Sequence, residues 1–300
     1  MDDGKPSYAE VAAPNGVNGV SDNSSDNLDT KHVDGGAELS ENGAPPAKPY
    51  SVNIPEQPVT AERSPYVPKE GDALIDAGTA RATIAPSNES PNGATDGNWA
   101  KEHEHQTVVM QHMDYFDPDH DGVIWPRDTY NGFRKWGWSI ILSLYGTFLI
   151  NGFISYPTAP GILPDPFFRI FVSRAYKGKH GSDSMSYDNE GRFVPQNFEN
   201  IFAKYDRDNK GGLNWLDLIR AFNGQRLVFD FFGWSAVFFE WLGVYLLLWP
   251  DDGILRKEDV RGVFDGSIFQ KKADEYQRKK ETSTQDKQRR FIAWKGRKTA

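Results

Sequence analysis

The sequence predicts a mainly α fold with a pair of helix–loop–helix units and one membrane-associated apolar segment that ends in a proline knot. Three observations lead to this prediction: an acidic twelve-residue loop at 117–128, an uncharged apolar stretch at 139–156, and four prolines within residues 157–166. Periodic apolar residues flank the loop as in helices, and a cluster of prolines cannot continue a helix.

The loop at residues 117–128, DPDHDGVIWPRD, has the pattern of an EF-hand calcium loop. Asp117, Asp119 and Asp121 stand at positions 1, 3 and 5, where carboxylate oxygens suit a hard divalent cation. Gly122 stands at position 6, where the backbone turns sharply. The sequence therefore predicts a Ca²⁺ site in this loop, and the alternative is an acidic surface turn.

The second half of the loop is expected to supply two further ligands. The carbonyl of Val123 stands at position 7, and Asp128 stands at position 12, where Glu is usual. Asp is one methylene shorter than Glu and gives both oxygens to an ion less readily. We therefore expect weaker calcium binding, or a shift toward magnesium, whose octahedral shell needs only one oxygen there.

Helical patterns on both sides of the loop predict an EF-hand over residues 105–138. Before the loop, Val108, His112 and Phe116 recur at intervals of four, as on the apolar face of a helix. After the loop, Tyr130 begins a second helical pattern. These flanks favour the EF-hand over the surface turn.

Composition divides the chain into three parts. The first hundred residues contain no Phe, one Trp, 11 of the 19 prolines and a net charge of −10, which leaves too little apolar surface to offset the entropy of ordering. Residues 1–97 are therefore predicted to be a disordered acidic arm and 98–269 to be the folded domain. Residues 270–300 form a basic tail with eleven Lys and Arg against four acids, which is either solvated or held on an anionic membrane.

The apolar segment and proline knot occupy residues 139–172. Trp136, Trp138 and two cations precede the apolar stretch, a composition typical of a membrane interface. After the prolines, residues 167–172 are apolar again. This order predicts a segment that dips into a lipid surface and returns, and the alternative is a buried core helix that ends in a proline-rich loop.

Two weaker copies of the loop pattern occur within residues 190–269. Residues 206–217 repeat the EF-hand spacing, but Lys210 at position 5 argues against metal binding. We expect this degenerate EF-hand to be the structural partner of the first, joined through the short strand of each loop. Residues 251–255 carry a third, fainter echo, which indicates a weak internal repeat.

A second aromatic stretch at residues 227–249 contains two charges, Asp230 and Glu240. Charged side chains are costly inside a membrane span. We therefore expect a buried or interfacial amphipathic helix here.

Six segments occur in an order that resembles the caleosins, a family also known as plant and fungal peroxygenases. They are YNGFR at 130–134, SYPTAPG at 155–161, KHGSDS at 179–184, GRFVP at 191–195, DFFGW at 230–234 and RGVFDGS at 261–267. The long arm and the absence of cysteine resemble fungal rather than plant members. The chain departs from the family pattern at Asp128, and also at Asp165 and Arg169, which place charges in the proline-rich turn.

The resemblance implies an enzyme that binds Ca²⁺ and haem b at the lipid-droplet surface and the endoplasmic reticulum membrane. Such an enzyme transfers oxygen from fatty-acid hydroperoxides to unsaturated fatty acids. The family's haem histidines correspond to His112 and His180, which are therefore the candidate catalytic axial ligands. Thiolate ligation is excluded because the chain has no cysteine. A homo-oligomer is a further expectation.

The residues alone leave other interpretations open. His112 on an apolar helix face also fits a core position, and His180 in a polar segment also fits a surface position. Two other functions compete with the enzyme: a non-catalytic calcium-binding structural protein of the lipid-droplet surface, and a soluble EF-hand adaptor. Nucleic acid is not an expected partner, because the net charge of the chain is −8.

Overall fold

Helices are the main secondary structure in the part of the chain that the structure describes, so the fold is mainly α, as predicted. The computed structural model describes Tyr66 and residues 71–298, with side chains to residue 289. The remainder of the predicted arm lies outside the described residues.

Helix–loop–strand–helix units recur along the described part of the chain. The helices are α1 Trp99–Glu102, α2 Val108–Asp114, α3 Pro126–Lys135, α4 Ile140–Thr158, α5 Pro195–Tyr205, α6 Trp215–Gln225, α7 Phe231–Leu248, α8 Lys257–Phe264 and α9 Phe269–Lys298. The strands are β1 Val123–Ile124, β2 Ile170–Phe171, β3 Gly212–Leu213 and β4 Leu255–Arg256. Each strand lies between a loop and the helix or 3-10 turn that follows it.

The short strands form two antiparallel pairs, β1 with β2 and β3 with β4. In the first pair Val123 lies opposite Phe171, and in the second Leu213 lies opposite Leu255. The prediction that the first and the degenerate loop pair with each other is therefore wrong. The acidic loop pairs through β1 with β2, which follows the prolines. The degenerate loop pairs through β3 with β4, which lies in the third copy of the loop pattern.

Helix α4 exposes its apolar side chains and buries its polar ones. Ser143, Thr147 and Asn151 recur at intervals of four and are buried, whereas Ile141 and Phe148 are 80% and 68% exposed. A helix in the core of a water-soluble protein has the opposite arrangement. The alternative of a buried core helix is therefore wrong for this segment.

The proline-rich turn after α4 carries its two charges as an ion pair. Asp165 Oδ1 lies 2.8 Å from Arg169 Nη2, and the Arg169 guanidinium lies 5.1 Å from the ring centre of Trp125. At the tip of the turn, Ile162 and Leu163 are 91% and 80% exposed. The charges that depart from the family pattern thus neutralise each other behind an apolar tip.

Helix α7 extends the exposed apolar surface of α4. The Tyr145 and Phe239 rings lie 6.3 Å apart, and those of Phe153 and Phe232 lie 5.6 Å apart. Asp230 precedes the helix and caps it by accepting a hydrogen bond from the Gly233 N–H. Both helices are long and apolar enough to cross a membrane by length and composition.

Residues 71–97 pack onto the folded domain, although the sequence placed them in the arm. Ala85 is fully buried. Arg81 and Phe193 exchange two backbone hydrogen bonds, at 2.7 Å and 2.8 Å. Further back, the carbonyl of Tyr66 accepts a hydrogen bond from Gln196 on α5. The packed part of the chain therefore begins before the predicted boundary, because polar and small residues contribute to the domain through backbone pairing.

The predicted basic tail is helical through residue 298, and its start belongs to the core. Phe269 and Ala273 are buried, and the indole N–H of Trp136 donates to the Phe269 carbonyl at 3.2 Å. The boundary at residue 270 thus falls inside α9, whose first turns pack beside α3.

In the degenerate loop, the ammonium group of Lys210 occupies the centre of three carboxylates. Its Nζ lies 3.1 Å from Asp206, 2.6 Å from Asp208 and 2.6 Å from Asp217. These acids stand at positions 1, 3 and 12, where an EF-hand loop binds its ion. A side-chain cation thus lies where an EF-hand loop holds its ion, and the absence of metal binding by this loop stays a prediction.

Replacing Lys210 with Ala should lower the free energy of unfolding by about 3 kcal/mol, because uncompensated carboxylates remain in a partly buried site. Millimolar Mg²⁺ or Ca²⁺ should restore part of the loss. Urea unfolding of the full chain, with and without the ions, measures both effects.

The matched control is Arg220→Ala, which removes a half-exposed cation that contacts Asp217 alone among these acids. It should lower the free energy of unfolding by less than about 1 kcal/mol. Equal effects of the two variants would contradict a central role for Lys210.

Candidate functional site

The acidic loop brings three of its predicted ligands together. One carboxylate oxygen from each of Asp117, Asp119 and Asp121 lies within 4.8 Å of the others. Asp117 follows α2 closely and is buried, whereas Asp119 and Asp121 are exposed. The site therefore has a fixed inner ligand and two ligands open to solvent.

Asp117 has an unsatisfied oxygen that faces this cluster of acids. Its Oδ2 accepts a hydrogen bond from the Gly122 N–H at 2.9 Å, while its buried Oδ1 has no hydrogen-bond partner. Burial raises the pKa of Asp117, and the neighbouring Asp121 and Asp119 carboxylates add to the rise. A divalent cation would satisfy Oδ1 and offset this repulsion, so the three residues fit Ca²⁺ or Mg²⁺.

Of the other two predicted ligands, which lie in the second half of the loop, Asp128 is engaged elsewhere. Asp128 Oδ2 accepts from the Trp125 N–H at 3.0 Å, so this carboxylate caps α3 and is not part of the cluster of acids. Val123 lies in β1, and its N–H donates to Asp121 Oδ1 at 2.8 Å. The carboxylate of Asp128 is therefore bound to the backbone at the beginning of α3.

His112 lies on α2, is partly buried, and has one ring nitrogen free of protein partners among its described hydrogen bonds. Its Nδ1 lies 2.7 Å from the Val263 carbonyl and must be the donor there, so the neutral ring keeps a lone pair on Nε2. Burial lowers the pKa of His112 and keeps the ring neutral. A neutral imidazole whose other nitrogen donates to a carbonyl is the usual form of a metal-ligating histidine, so His112 fits an axial ligand of haem iron.

His180 is also largely buried, but both of its ring nitrogens have partners. Nδ1 lies 2.6 Å from the Gly181 carbonyl, and Nε2 lies 2.9 Å from Glu240 Oε1. Burial lowers its pKa, but the hydrogen bond and charge of Glu240 outweigh this and raise the pKa of His180 to about 9. In this arrangement His180 is a protonated donor and does not fit a metal ligand.

Glu240 is the functional residue that the sequence analysis left without a role. It is the only charged residue in α7, and it follows the exposed rings of Phe238 and Phe239. The sequence feature that could have indicated a role is a single carboxylate in an eighteen-residue apolar helix. Its partner could not be found from the sequence, because His180 lies 60 residues earlier.

The segments KHGSDS and DFFGW form one contact between the His180 loop and α7. The Ser182 hydroxyl donates to Asp230 Oδ2 at 2.7 Å and accepts from the Leu227 N–H at 3.1 Å. Gly181 and Gly233 meet here so closely that a Cβ on Gly233 would lie 2.6 Å from the Gly181 carbonyl oxygen. Their small size is required because the two backbones touch.

The part of the chain that holds these residues matches a known protein family. A family model described as caleosin related protein matches residues 104–273, more than half of the chain. The chain belongs to the caleosin family. All the acids and histidines of the candidate site lie within the matched range.

Named relatives of this caleosin include plant proteins. It is 39% identical over 216 residues to a peroxygenase of Lilium longiflorum, an alignment that covers 72% of this chain and 88% of the relative. It is 36% identical over 180 residues to probable peroxygenase 4 of Arabidopsis thaliana, which covers 60% of this chain and 91% of the relative.

A third relative carries a different name. This caleosin is 34% identical over 143 residues to a probable inactive peroxygenase-like protein of Arabidopsis thaliana, which covers 46% of this chain and 66% of the relative. No solved structure matches the chain.

Replacing Gly233 with Ala should separate the His180 loop from α7. The added Cβ would lie 2.1 Å from Asp230 Oδ2, so the free energy of unfolding should fall by about 2 kcal/mol, as for other overpacked sites. Chemical unfolding measures the change.

Gly243→Ala on the same helix is the matched control, because nothing lies within 4 Å of a Cβ there. This variant should stabilise α7 by up to about 1 kcal/mol, the difference in helix propensity between Ala and Gly. Equal stability of the two variants would show that the close contact between loop and helix is absent.

Proposed function

We propose that this caleosin is a haem-dependent peroxygenase that transfers oxygen from fatty-acid hydroperoxides to unsaturated fatty acids. The named peroxygenases among its relatives support the enzyme class. The observation that carries the cofactor assignment is the neutral ring of His112, which has Nε2 free and Nδ1 held by the Val263 carbonyl. When bound, haem b supplies cleavage of the peroxide O–O bond, and the protein orients the lipid against it.

In this proposal His112 holds the haem, and its neighbours fix the ring. The Val263 carbonyl on α8 sets the tautomer, and the Phe269 ring packs edge-on at 5.1 Å. Because the ring is packed from α8 and α9, its direction is set before any cofactor binds. A fixed ligand of this kind needs little reorganisation on binding.

Calcium binding by the acidic loop would fix the helix that bears His112. Helix α2 ends at Asp114, three residues before Asp117, whose buried carboxylate is the inner ligand of the cluster of acids. A cation at Asp117, Asp119 and Asp121 would remove the repulsion at this end of α2. Calcium therefore acts on the position of His112 and takes no part in the chemistry.

The exposed apolar surface of α4, the proline-rich tip and α7 is proposed to contact the surface of lipid droplets and the endoplasmic reticulum membrane. Polar residues of α4 face the protein, so the lipid is the partner that its outward apolar side chains require. His180 packs against Phe232 on this surface, at 6.0 Å between ring centres. Unsaturated fatty acids and lipid hydroperoxides would therefore reach the histidines from the lipid side.

The second candidate function is a non-catalytic calcium-binding structural protein of the lipid-droplet surface. Two observations favour it: one relative bears the name of a probable inactive peroxygenase-like protein, and neither ring nitrogen of His180 is free. It would keep the acidic loop and the apolar surface but would bind no haem.

The variant His112→Ala separates the two functions. The purified wild-type protein, supplied with haem, should show a Soret band that changes on addition of cumene hydroperoxide. His112→Ala should lose the band and at least about a hundredfold in oxygen transfer, as expected when a metal-binding group is removed. Flotation with artificial droplets should be unchanged.

His105→Ala is the control, since this histidine lies exposed in a polar stretch. It should behave as the wild type in absorbance, activity and flotation. A wild-type protein without a Soret band would favour the non-catalytic structural protein. A wild-type protein that fails to float would contradict lipid binding.

Lengthening Asp128 should strengthen calcium binding. Asp128→Glu can reach the ion with both oxygens, and an added contact of about 1.4 kcal/mol corresponds to a tenfold increase in affinity. Asp117→Asn, which removes charge from the inner ligand, should abolish binding. Isothermal titration with Ca²⁺ and with Mg²⁺ measures both variants, and equal affinities of Asp128→Glu and the wild type would exclude position 12 as a ligand.

A further inference from the structure

Glu240 is a single carboxylate on an otherwise uncharged helix whose neighbours are exposed aromatic rings. Its side chain is 53% exposed, and no other Asp, Glu, Lys or Arg occurs in α7. Although this carboxylate is half-exposed, it has a side-chain partner within hydrogen-bonding distance. The partner is His180, whose side chain is 9% exposed and whose Nε2 lies 2.9 Å from Glu240 Oε1.

The backbone of the His180 loop is held without the help of Glu240. Ser182 hydrogen bonds to both Asp230 and Leu227, and Gly181 touches Gly233. These contacts lie at the beginning of α7, whereas Glu240 lies in its middle. The contact with Glu240 therefore acts on the imidazole ring, and the docking of the loop rests on the other residues.

The two histidines differ in what they offer to a metal. His112 donates through Nδ1 and leaves Nε2 free, while His180 has both nitrogens engaged, one by the Gly181 carbonyl and one by Glu240. If both rings bound iron at once, no coordination position would remain for a peroxide. The hydrogen bond from His180 to Glu240 competes directly with ligation through Nε2.

We propose that Glu240 is a positioning residue that holds His180 off the haem iron, so that His112 is the only protein ligand and one coordination position stays open. This inference rests on the proposed function, because it concerns the haem-loaded protein. His180 then lies beside Phe232 on the exposed apolar surface.

The test is the spin state of the haem-loaded full chain, read from the visible spectrum and electron paramagnetic resonance. Wild type should be mainly high-spin, as for one histidine ligand. Glu240→Ala should gain a severalfold larger low-spin fraction, because His180 is released to bind iron. Glu240→Gln keeps a hydrogen-bond acceptor and should stay close to wild type.

Two further variants identify the group responsible. The double variant Glu240→Ala with His180→Ala should return to the high-spin spectrum, since no second histidine remains to bind. Glu190→Ala, which removes an exposed carboxylate in a turn, is the control and should leave the spectrum unchanged.

A readout without haem tests the contact itself. In the apo protein, the melting temperatures of Glu240→Ala, His180→Ala and the double variant form a cycle, and the two losses should be non-additive because the residues touch. Additive losses would overturn the proposal whether or not haem binds.

The remaining outcomes separate this inference from the proposed function. A wild type that binds haem and is low-spin through His180 would overturn the role of Glu240 and leave the peroxygenase proposal standing. A wild type that binds no haem would overturn the proposed function and the role of Glu240 toward iron together, while a non-additive cycle would still establish the contact.

Discussion

Pairing of two-residue strands is the constraint on which the rest of this fold depends. A strand beside a loop exposes backbone N–H and C=O groups that require partners, so helix–loop–strand–helix units are stable in pairs. The acidic loop obtains its partner from the chain that returns after the prolines, and the degenerate loop obtains its partner from the segment after α7. Each apolar helix, α4 or α7, is therefore the first helix of the second unit in its pair.

The two pairs of units differ in how the repulsion between neighbouring carboxylates in their loops is offset. In one loop three acids surround the ammonium of Lys210, which is part of the chain and always present. In the other loop Asp117, Asp119 and Asp121 converge without a side-chain cation at their centre among the described contacts, and one buried oxygen is unsatisfied. One pair is therefore complete by itself, while the acids of the other are proposed to take an ion from solution.

The surroundings of the two histidines depend on where the paired units place α2 and α7. His112 faces α8 and α9 and is neutral, whereas His180 faces α7 and is charged beside Glu240. Identical side chains thus acquire opposite chemistry from their surroundings: a free lone pair on one, and two engaged N–H groups on the other. The exposed apolar surface lies next to the second histidine, so the proposed haem ligand on α2 and the proposed lipid surface of α4 and α7 belong to different helices.

The sequence by itself determined what depends on near neighbours: the acidic loop, the apolar stretch at 139–156, and the unsuitability of Lys210 as a metal ligand. These are readable because helix faces and turn chemistry repeat within a few residues. In the structure the apolar stretch is helix α4, which continues through Pro157 and ends at Thr158, before the remaining prolines. Only the tertiary structure decided which strands pair, that residues 71–97 join the core, and that Glu240 meets His180. Those contacts join residues far apart in the chain, and their hydrogen bonds and close backbone approaches have no local pattern.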